Sequence, residues 1–332
     1  MVDVSSQLEV FARNILKVEL VSAGQLSGGA SQETWLFETE DNEKYILRRP
    51  PAGSAVAQAE PIEGMGERHL SSRQEADILS SVHAYGIEVP RVIHVFSEGD
   101  ALFPGYVMGF VGGETIARKI LRDSAFDNIR PNLAAQCGHA LAKIHAIDIK
   151  SLPKLATSDA KSEVERYAGI LQKHGHPHPV FELALKWLRD NLPPSRPSCL
   201  VHGDFRNGNL IISPETGLSA IIDWELTHFG DPMEDLGWIC VPSWRFGNID
   251  APVGGFGDRE TFYRAYEEAG GIIDRNAARF WEILGTLKWG IMCIIMIEVF
   301  ESGVDRSVER AAIGRRTSET EIDLLRMLDG EN

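Results

Sequence analysis

Hydrophobic and polar positions change their period partway along the chain. From residue 20 to 48, LVSAGQLSGGASQETWLFETE and KYILRR carry β-formers on both sides of a polar turn at Asp41-Asn42, which predicts a β-hairpin with a Gly-Gly pair in its first connection. After a Pro/Gly/Ala-rich loop from Pro50 to Gly66, Ser72-Arg73-Gln74-Glu75 has capping-box spacing. Ala76, Leu79 and Val82 follow at helical intervals, so one helix follows the hairpin. Val89 to Phe96 and Tyr106 to Val111 read as two further strands around the turn-rich SEGDALFPG. Beyond Gly112-Gly113 the period becomes helical: Leu133, Cys137, Leu141 and Ile144 mark one helix, and the pattern recurs at 161–191, 259–269, 277–300 and 307–328. A β-rich front and a helical back are an α+β arrangement, divided here into residues 1–108 and 109–332.

Composition leaves that picture intact and narrows the partners. The 332 residues, 43% hydrophobic, 24% charged and 8% aromatic, suit one large bilobal unit or two domains with ordered structure nearly throughout. The net charge is -15, with 16 acids against 8 Lys/Arg in residues 1–108 and 32 against 25 beyond. Such a surface has no electrostatic footprint for phosphate backbones, so neither nucleic acid nor anionic membrane is an expected partner. Nothing in the composition sets an oligomeric state.

Cys137, Cys199, Cys240 and Cys293 lie far apart without CxxC spacing, which fits a reducing cytoplasm better than a disulfide scaffold or a zinc knuckle. The start, MVDVSSQLEVFARNILK, has no apolar run of signal-peptide length. The most apolar segment, Trp281 to Phe300, is interrupted by Glu282, Lys288 and Glu298 and reads as a buried helix.

The chemistry concentrates in CLVHGDFRNGNLIISPETGLSAIIDWE, residues 199–225. Leu210 to Ile212 and Ala220 to Ile222 flank the turn signal Ser-Pro-Glu-Thr-Gly, so a short hairpin places its outer ends, Asn209 and Asp223, side by side at about the 5 Å spacing of neighbouring strands. An amide oxygen and a carboxylate so placed can share a hard cation, and Mg2+ suits a site with few protein ligands. Asp204, five residues before Asn209, can approach a metal-bound phosphate without being a ligand, which is the place for a general base in phosphoryl transfer.

His202-Gly203-Asp204 followed by Asn209, then Ile222-Asp223-Trp224-Glu225, resembles the signature of the aminoglycoside phosphotransferase-like kinase superfamily. Leu141-Ala-Lys-Ile-His145 and Gly230-Asp231-Pro232 with Asp235-Leu236 resemble its flanking elements. The resemblance implies a bilobal protein-kinase-like fold and ATP- and Mg2+-dependent transfer of a phosphate to a hydroxyl of a small molecule. It makes Asp204 the catalytic base, Asn209 and Asp223 the magnesium ligands, His202 a loop-organising residue and Asp235 a brace at a helix start. Residues 26–35, with Gly28, Gly29 and Ser31, would cover the phosphates, and the hinge from Met108 to Val111, with Phe110, would bind adenine.

The family pairs a strand cation with a helix carboxylate, and Arg48 and Glu75 occupy those places, with Arg48 standing where lysine is usual. Arginine there resembles the phosphotransferase domains associated with acyl-CoA dehydrogenases. Strand alternation alone chooses Arg48 over Arg49 as the inward residue.

Plain structural accounts compete with some of these assignments. Glu75 fits a capping box without any ion pair, His174, His176 and His178 in KHGHPHPVF fit a solvated loop better than a metal site, and His145 fits an interior position. Trp244, Arg245 and Phe246 lie in an aromatic, nearly acid-free segment, Trp238 to Gly257, that suits a neutral or anionic acceptor with an apolar portion. The resemblance of Arg48 to the acyl-CoA-dehydrogenase-associated domains then implies a hydroxyacyl compound, or a hydroxyacyl-CoA, as that acceptor. An aminoglycoside or other amino-alcohol kinase is the alternative. Two further readings are a nucleotide-binding pseudokinase scaffold, motivated by Arg48, and a metal-dependent hydrolase.

Overall fold

Strand alternation sorts the apolar residues of the N-terminal lobe onto two faces of one sheet. The computed structural model describes residues 3–26, 32–51, 69–304 and 306–330. Helix α1 (Val4–Phe11) runs into a π-helical turn at Ala12–Leu16 and is followed by β1 (Leu20–Gln25), β2 (Glu33–Thr39), β3 (Lys44–Arg49), α2 (Ser72–Ala84), β4 (Val92–Val95) and β5 (Tyr106–Gly109). The five strands pair antiparallel in the order β1-β2-β3-β5-β4.

Phe37, Leu47 and Val107 face α1, where Leu8 and Phe11 close a small core. The alternate residues Ile46, Tyr106 and Met108 face α2 and join the main core. Arg48 has the parity of Ile46, so the pleat sends its side chain toward α2.

Three differences from the sequence pattern have local causes. The expected hairpin is three strands, because the chain reverses between Gln25 and Glu33 as well as at Asp41-Asn42. Helix α2 is capped by Ser71, not Ser72, with Gln74 completing the capping box. Two consecutive serines offer two frames, and the one adopted leaves Glu75 free of capping and buried. Helix α1 had no counterpart in the pattern.

Beyond Gly109, the chain is tied to the second lobe by paired backbone hydrogen bonds between Glu114 and Ile212. There follow α3 (Ala117–Arg122), α4 (Leu133–His145), α5 (Ala160–His174), α6 (Pro179–Asp190), β6 (Cys199–Val201), β7 (Leu210–Ser213), β8 (Gly217–Ile221), β9 (His228–Gly230), α7 (Met233–Trp238), α8 (Arg259–Glu268), α9 (Arg275–Glu301), α10 (Val308–Gly314) and α11 (Thr317–Asp329).

The stretch 161–191 is two helices, broken where Gly175 takes a left-handed conformation ahead of Pro177 and Pro179. His174 pairs with Glu298 and His178 with Glu321, so these two imidazoles tie the break to α9 and α11 and do not lie in a solvated loop. The stretch 307–328 is also two helices. Helix α9 is long and apolar enough to cross a membrane by length and composition, yet 61% of its apolar window is buried, among α5, α6, α7, α10 and α11. All four cysteines are free and buried.

Candidate active site

The loop between β6 and β7 is held by a carboxylate from below. Asp235, at the third position of α7 and fully buried, accepts backbone N–H bonds from His202 at 2.8 Å and Gly203 at 3.0 Å. His145 on α4 adds a contact from Nε2 to the same carboxylate at 3.2 Å and places Nδ1 2.8 Å from the Tyr266 hydroxyl. Burial pushes the Asp235 carboxyl up, but His145 and the His202 backbone donor outweigh it and hold it below its usual range. Gly203 has φ +80, and a Cβ there would sit 2.6 Å from the Leu226 carbonyl oxygen, so this turn accepts only glycine without strain.

His202 is fully buried beside Trp224. Its Nδ1 accepts from the Asp204 N–H at 3.2 Å, which leaves Nε2 to donate to the Ile222 carbonyl at 3.1 Å. The bond accepted at Nδ1 requires the neutral ring, and burial lowers its pKa accordingly. One side chain thereby joins the loop to the far arm of the β7–β8 hairpin.

That hairpin brings Asn209 and Asp223 together. Ile222 N–H donates to the Asn209 carbonyl at 3.0 Å, and Asp223 follows in a left-handed conformation, φ 68, that turns it out of the strand. Asn209 Nδ2 donates to the Asp204 carbonyl and to Asp204 Oδ2 at 2.6 Å, leaving its Oδ1 as a hard oxygen donor. The Asp204 Oδ1 atom accepts from Trp238 Nε1 at 2.7 Å and Arg206 Nε at 3.0 Å.

From the other lobe, Arg48 reaches into the same space. Its Nη1 is 3.3 Å from Glu75 Oε1 and its Nη2 is 2.8 Å from Asp223 Oδ1, with Glu225 at 3.9 Å. Gln32 bridges Glu75 and Glu225. Burial pushes the Glu75 carboxyl up in spite of Arg48. For Asp223 burial also raises the pKa, but Arg48 and Arg206 prevail and keep the carboxylate below its usual range.

The donor set fits a divalent cation of the hard, oxygen-seeking kind: one carboxylate and one amide oxygen on adjacent strand ends. Among the described residues no cluster of three or more His, Cys, Asp or Glu side chains could cage a metal. An ion here would therefore complete its shell from water and phosphate oxygens.

The structure thus brings together Asp204, Asn209, Asp223, His202, Asp235, Arg48 and Glu75. Arg49 lies apart, 3.8 Å from Glu33. Met108 is buried on β5 and Phe110 is 42% exposed just past it, at the passage between lobes. Gly28, Gly29 and Ser31 lie outside the described residues. Trp244 is buried against Trp238 and Trp289, and Phe246 packs beside the core, half-buried.

Arg245 corrects the expectation for its segment. Its guanidinium is buried, donates to the Cys240 carbonyl and pairs with Glu282 at 2.8 Å, so its charge is already met by a buried carboxylate on α9. Sequence reasoning missed Arg206 and Lys288, and it placed Trp238 only as the start of the aromatic segment. Arg206 had a local signal, a cation two residues after Asp204, whereas the other two reach the loop from distant helices.

Comparison with known proteins agrees with this architecture. The model of the phosphotransferase enzyme family matches residues 22–281. Acyl-CoA dehydrogenase family member 11 of Rattus norvegicus is 28% identical over 234 residues, covering 67% of this chain and 28% of that protein. The chain spans less than a third of the length of the first curated relatives it matches.

Among solved structures, a candidate aminoglycoside phosphotransferase from Ralstonia eutropha JMP134 superposes with a TM-score of 0.74 at 18% identity, covering 98% of each chain. The GDP and kanamycin complex of an aminoglycoside phosphotransferase gives 0.63 at 12% identity, over 99% of this chain and 100% of the other. The small antiparallel lobe and the helical lobe are those of the kinase-like fold, and the chain belongs to the phosphotransferase enzyme family.

Proposed function

We propose that the protein transfers the γ-phosphoryl group of ATP to a hydroxyl of a small molecule, with the lobes dividing after Met108. The observation that carries this reading is the convergence of Asp204, Asn209 and Asp223 on one face of the loop and hairpin, with Arg48 entering opposite them.

In this reading Asp204 is the general base. It accepts the proton of the acceptor hydroxyl as that oxygen bonds to the γ-phosphorus, the bond from phosphorus to the β–γ bridging oxygen breaks, and the electron pair leaves with ADP. Asn209 and Asp223 would hold Mg2+, which supplies charge neutralisation on the phosphate oxygens. Arg48 offers a planar fork for phosphate oxygens, braced by Glu75. His202 and Asp235 fix the loop so that the base is in place before substrate arrives. Gly28, Gly29 and Ser31 would cover the phosphates, and the backbone near Met108 and Phe110 would receive adenine.

The acceptor proposed is a hydroxylated acyl compound, a hydroxyacyl-CoA in the fullest form. The likeness to acyl-CoA dehydrogenase family member 11 supports this choice, and so does the charge around the base. Arg206 lies 4.7 Å over the Trp244 ring and Lys288 4.3 Å over Trp238, so the aromatic faces beside Asp204 already carry cations of the chain itself. A polycationic acceptor would meet like charge there.

The test is incubation with γ-labelled ATP, Mg2+ and a panel of hydroxyacyl thioesters, amino alcohols and kanamycin, read by mass spectrometry. Labelled phosphate on a hydroxyacyl thioester is the expected product. A kcat/KM at least about tenfold higher for kanamycin would overturn the acceptor and leave the chemistry standing. No transfer to any hydroxyl, with nucleotide still bound, would instead favour a pseudokinase.

A further inference from the structure

Asp204 carries three side-chain donors on one carboxylate. Trp238 Nε1 and Arg206 Nε both donate to Oδ1, at 2.7 and 3.0 Å, and Asn209 Nδ2 donates to Oδ2 at 2.6 Å. A carboxylate offers about four lone-pair positions. Oδ1 is therefore filled, and Oδ2 keeps one direction open.

The shortest bond to Oδ1 comes from a ring with little freedom. Trp238 ends α7, is 5% exposed and packs against Trp244 with centroids 5.3 Å apart. Lys288 on α9 places its ammonium 4.3 Å from the Trp238 ring centroid and donates to the Gly203 carbonyl at 3.3 Å. The same cation touches the ring that holds the carboxylate and the peptide just before it. A cation over an indole face also draws electron density from the ring, which makes its N–H a stronger donor.

We infer that Trp238, backed by Lys288, is a positioning residue that makes Oδ2 of Asp204 the proton-accepting oxygen, an inference that rests on the phosphotransfer reading above. The indole ties Oδ1 down and turns the open lone pair of Oδ2 outward. The acceptor proton then passes to one defined atom while its oxygen bonds to phosphorus and ADP departs. Without the indole N–H, Arg206 alone restrains Oδ1, and its side chain is the more exposed of the two donors. Binding of nucleotide does not involve this contact, so the effect falls on turnover.

Trp238→Phe keeps an aromatic ring and removes the N–H. The expected result is a kcat lower by about 10- to 100-fold, the scale of one misplaced donor at a reacting group, with the nucleotide Kd near that of the wild type and a modest fall in melting temperature from the smaller buried ring. Lys288→Met, which keeps the indole, should give a smaller loss in kcat, again with unchanged nucleotide affinity. If Trp238→Phe does not fold, Lys288→Met carries the kinetic test.

A second readout is independent of turnover. In the 15N-labelled protein, Asp204→Asn should move the Trp238 indole N–H resonance upfield, because the charged acceptor is gone. A wild-type kcat in Trp238→Phe overturns the inference, as does an indole resonance that Asp204→Asn leaves in place. Failure of the wild type to phosphorylate any acceptor would sink the functional reading and the proton-accepting role with it, while the resonance would still report whether the indole holds the carboxylate.

Discussion

Arg48 and Asp223 stand in opposite lobes, 175 residues apart in sequence, yet Nη2 of one lies 2.8 Å from Oδ1 of the other. Through Nη1 the same guanidinium reaches Glu75, a carboxylate with no exposed surface. The fork thus links sheet, helix α2 and hairpin at the place where phosphate is proposed to bind. A single ammonium has no such planar geometry.

Replacing Arg48 with alanine leaves Glu75 buried without its counter-charge, which costs about 3–5 kcal/mol when one partner of a buried pair is removed. A lower midpoint in urea and a large loss of ATP affinity are expected. Arg48→Lys keeps the charge and should retain substantial activity. Wild-type affinity in the alanine variant would transfer the phosphate-gripping role to another residue, with Arg49 the first to examine.

Asp223→Ala should abolish the magnesium dependence of ATP binding, since Asn209 is neutral and cannot balance a divalent charge alone. Calorimetric titration of ATP with and without Mg2+ measures this directly. Equal dependence in wild type and variant would contradict the proposed metal site.

Asp235 should link stability to pH. Its folded-state pKa is depressed, so its contribution is fully present above the unfolded value of about 3.9 and is lost as pH falls through the lower folded value. Asp235→Asn weakens the two backbone bonds it accepts and should cost about 1–3 kcal/mol at neutral pH. Urea titrations of both proteins at several pH values should show the difference narrowing below about pH 4. A difference that stays constant into that range would mean that the charge of Asp235 does no stabilising work.

The residues most visible in the sequence were those whose neighbours are local. Asp204, Asn209 and Asp223 lie on one loop and one hairpin, where strand pairing and a turn signal suffice to predict proximity. Arg48 and Glu75 followed from resemblance and strand alternation. The three-residue strands β6 and β9 were too short to show any period, yet they pair and support the loop. The frame of the α2 cap was ambiguous by one residue, because Ser71 and Ser72 are both capping types. Trp238 and Lys288 lie 34 and 85 residues beyond the groups they touch, and no periodicity encodes such contacts. Arg245 shows the converse error: proximity in sequence to an aromatic segment suggested an acceptor contact, and burial against Glu282 turned the side chain inward.

The assignment of Asp204 as the base is tested most directly by comparing Asp204→Asn with the wild type in two assays on the same preparation, ATP binding and single-turnover phosphoryl transfer. Asparagine preserves the shape of the side chain and removes its ability to take a proton. The account predicts ATP affinity near that of the wild type and a transfer rate lower by at least about 100-fold. Loss of ATP affinity with the transfer rate unchanged at saturation would contradict it.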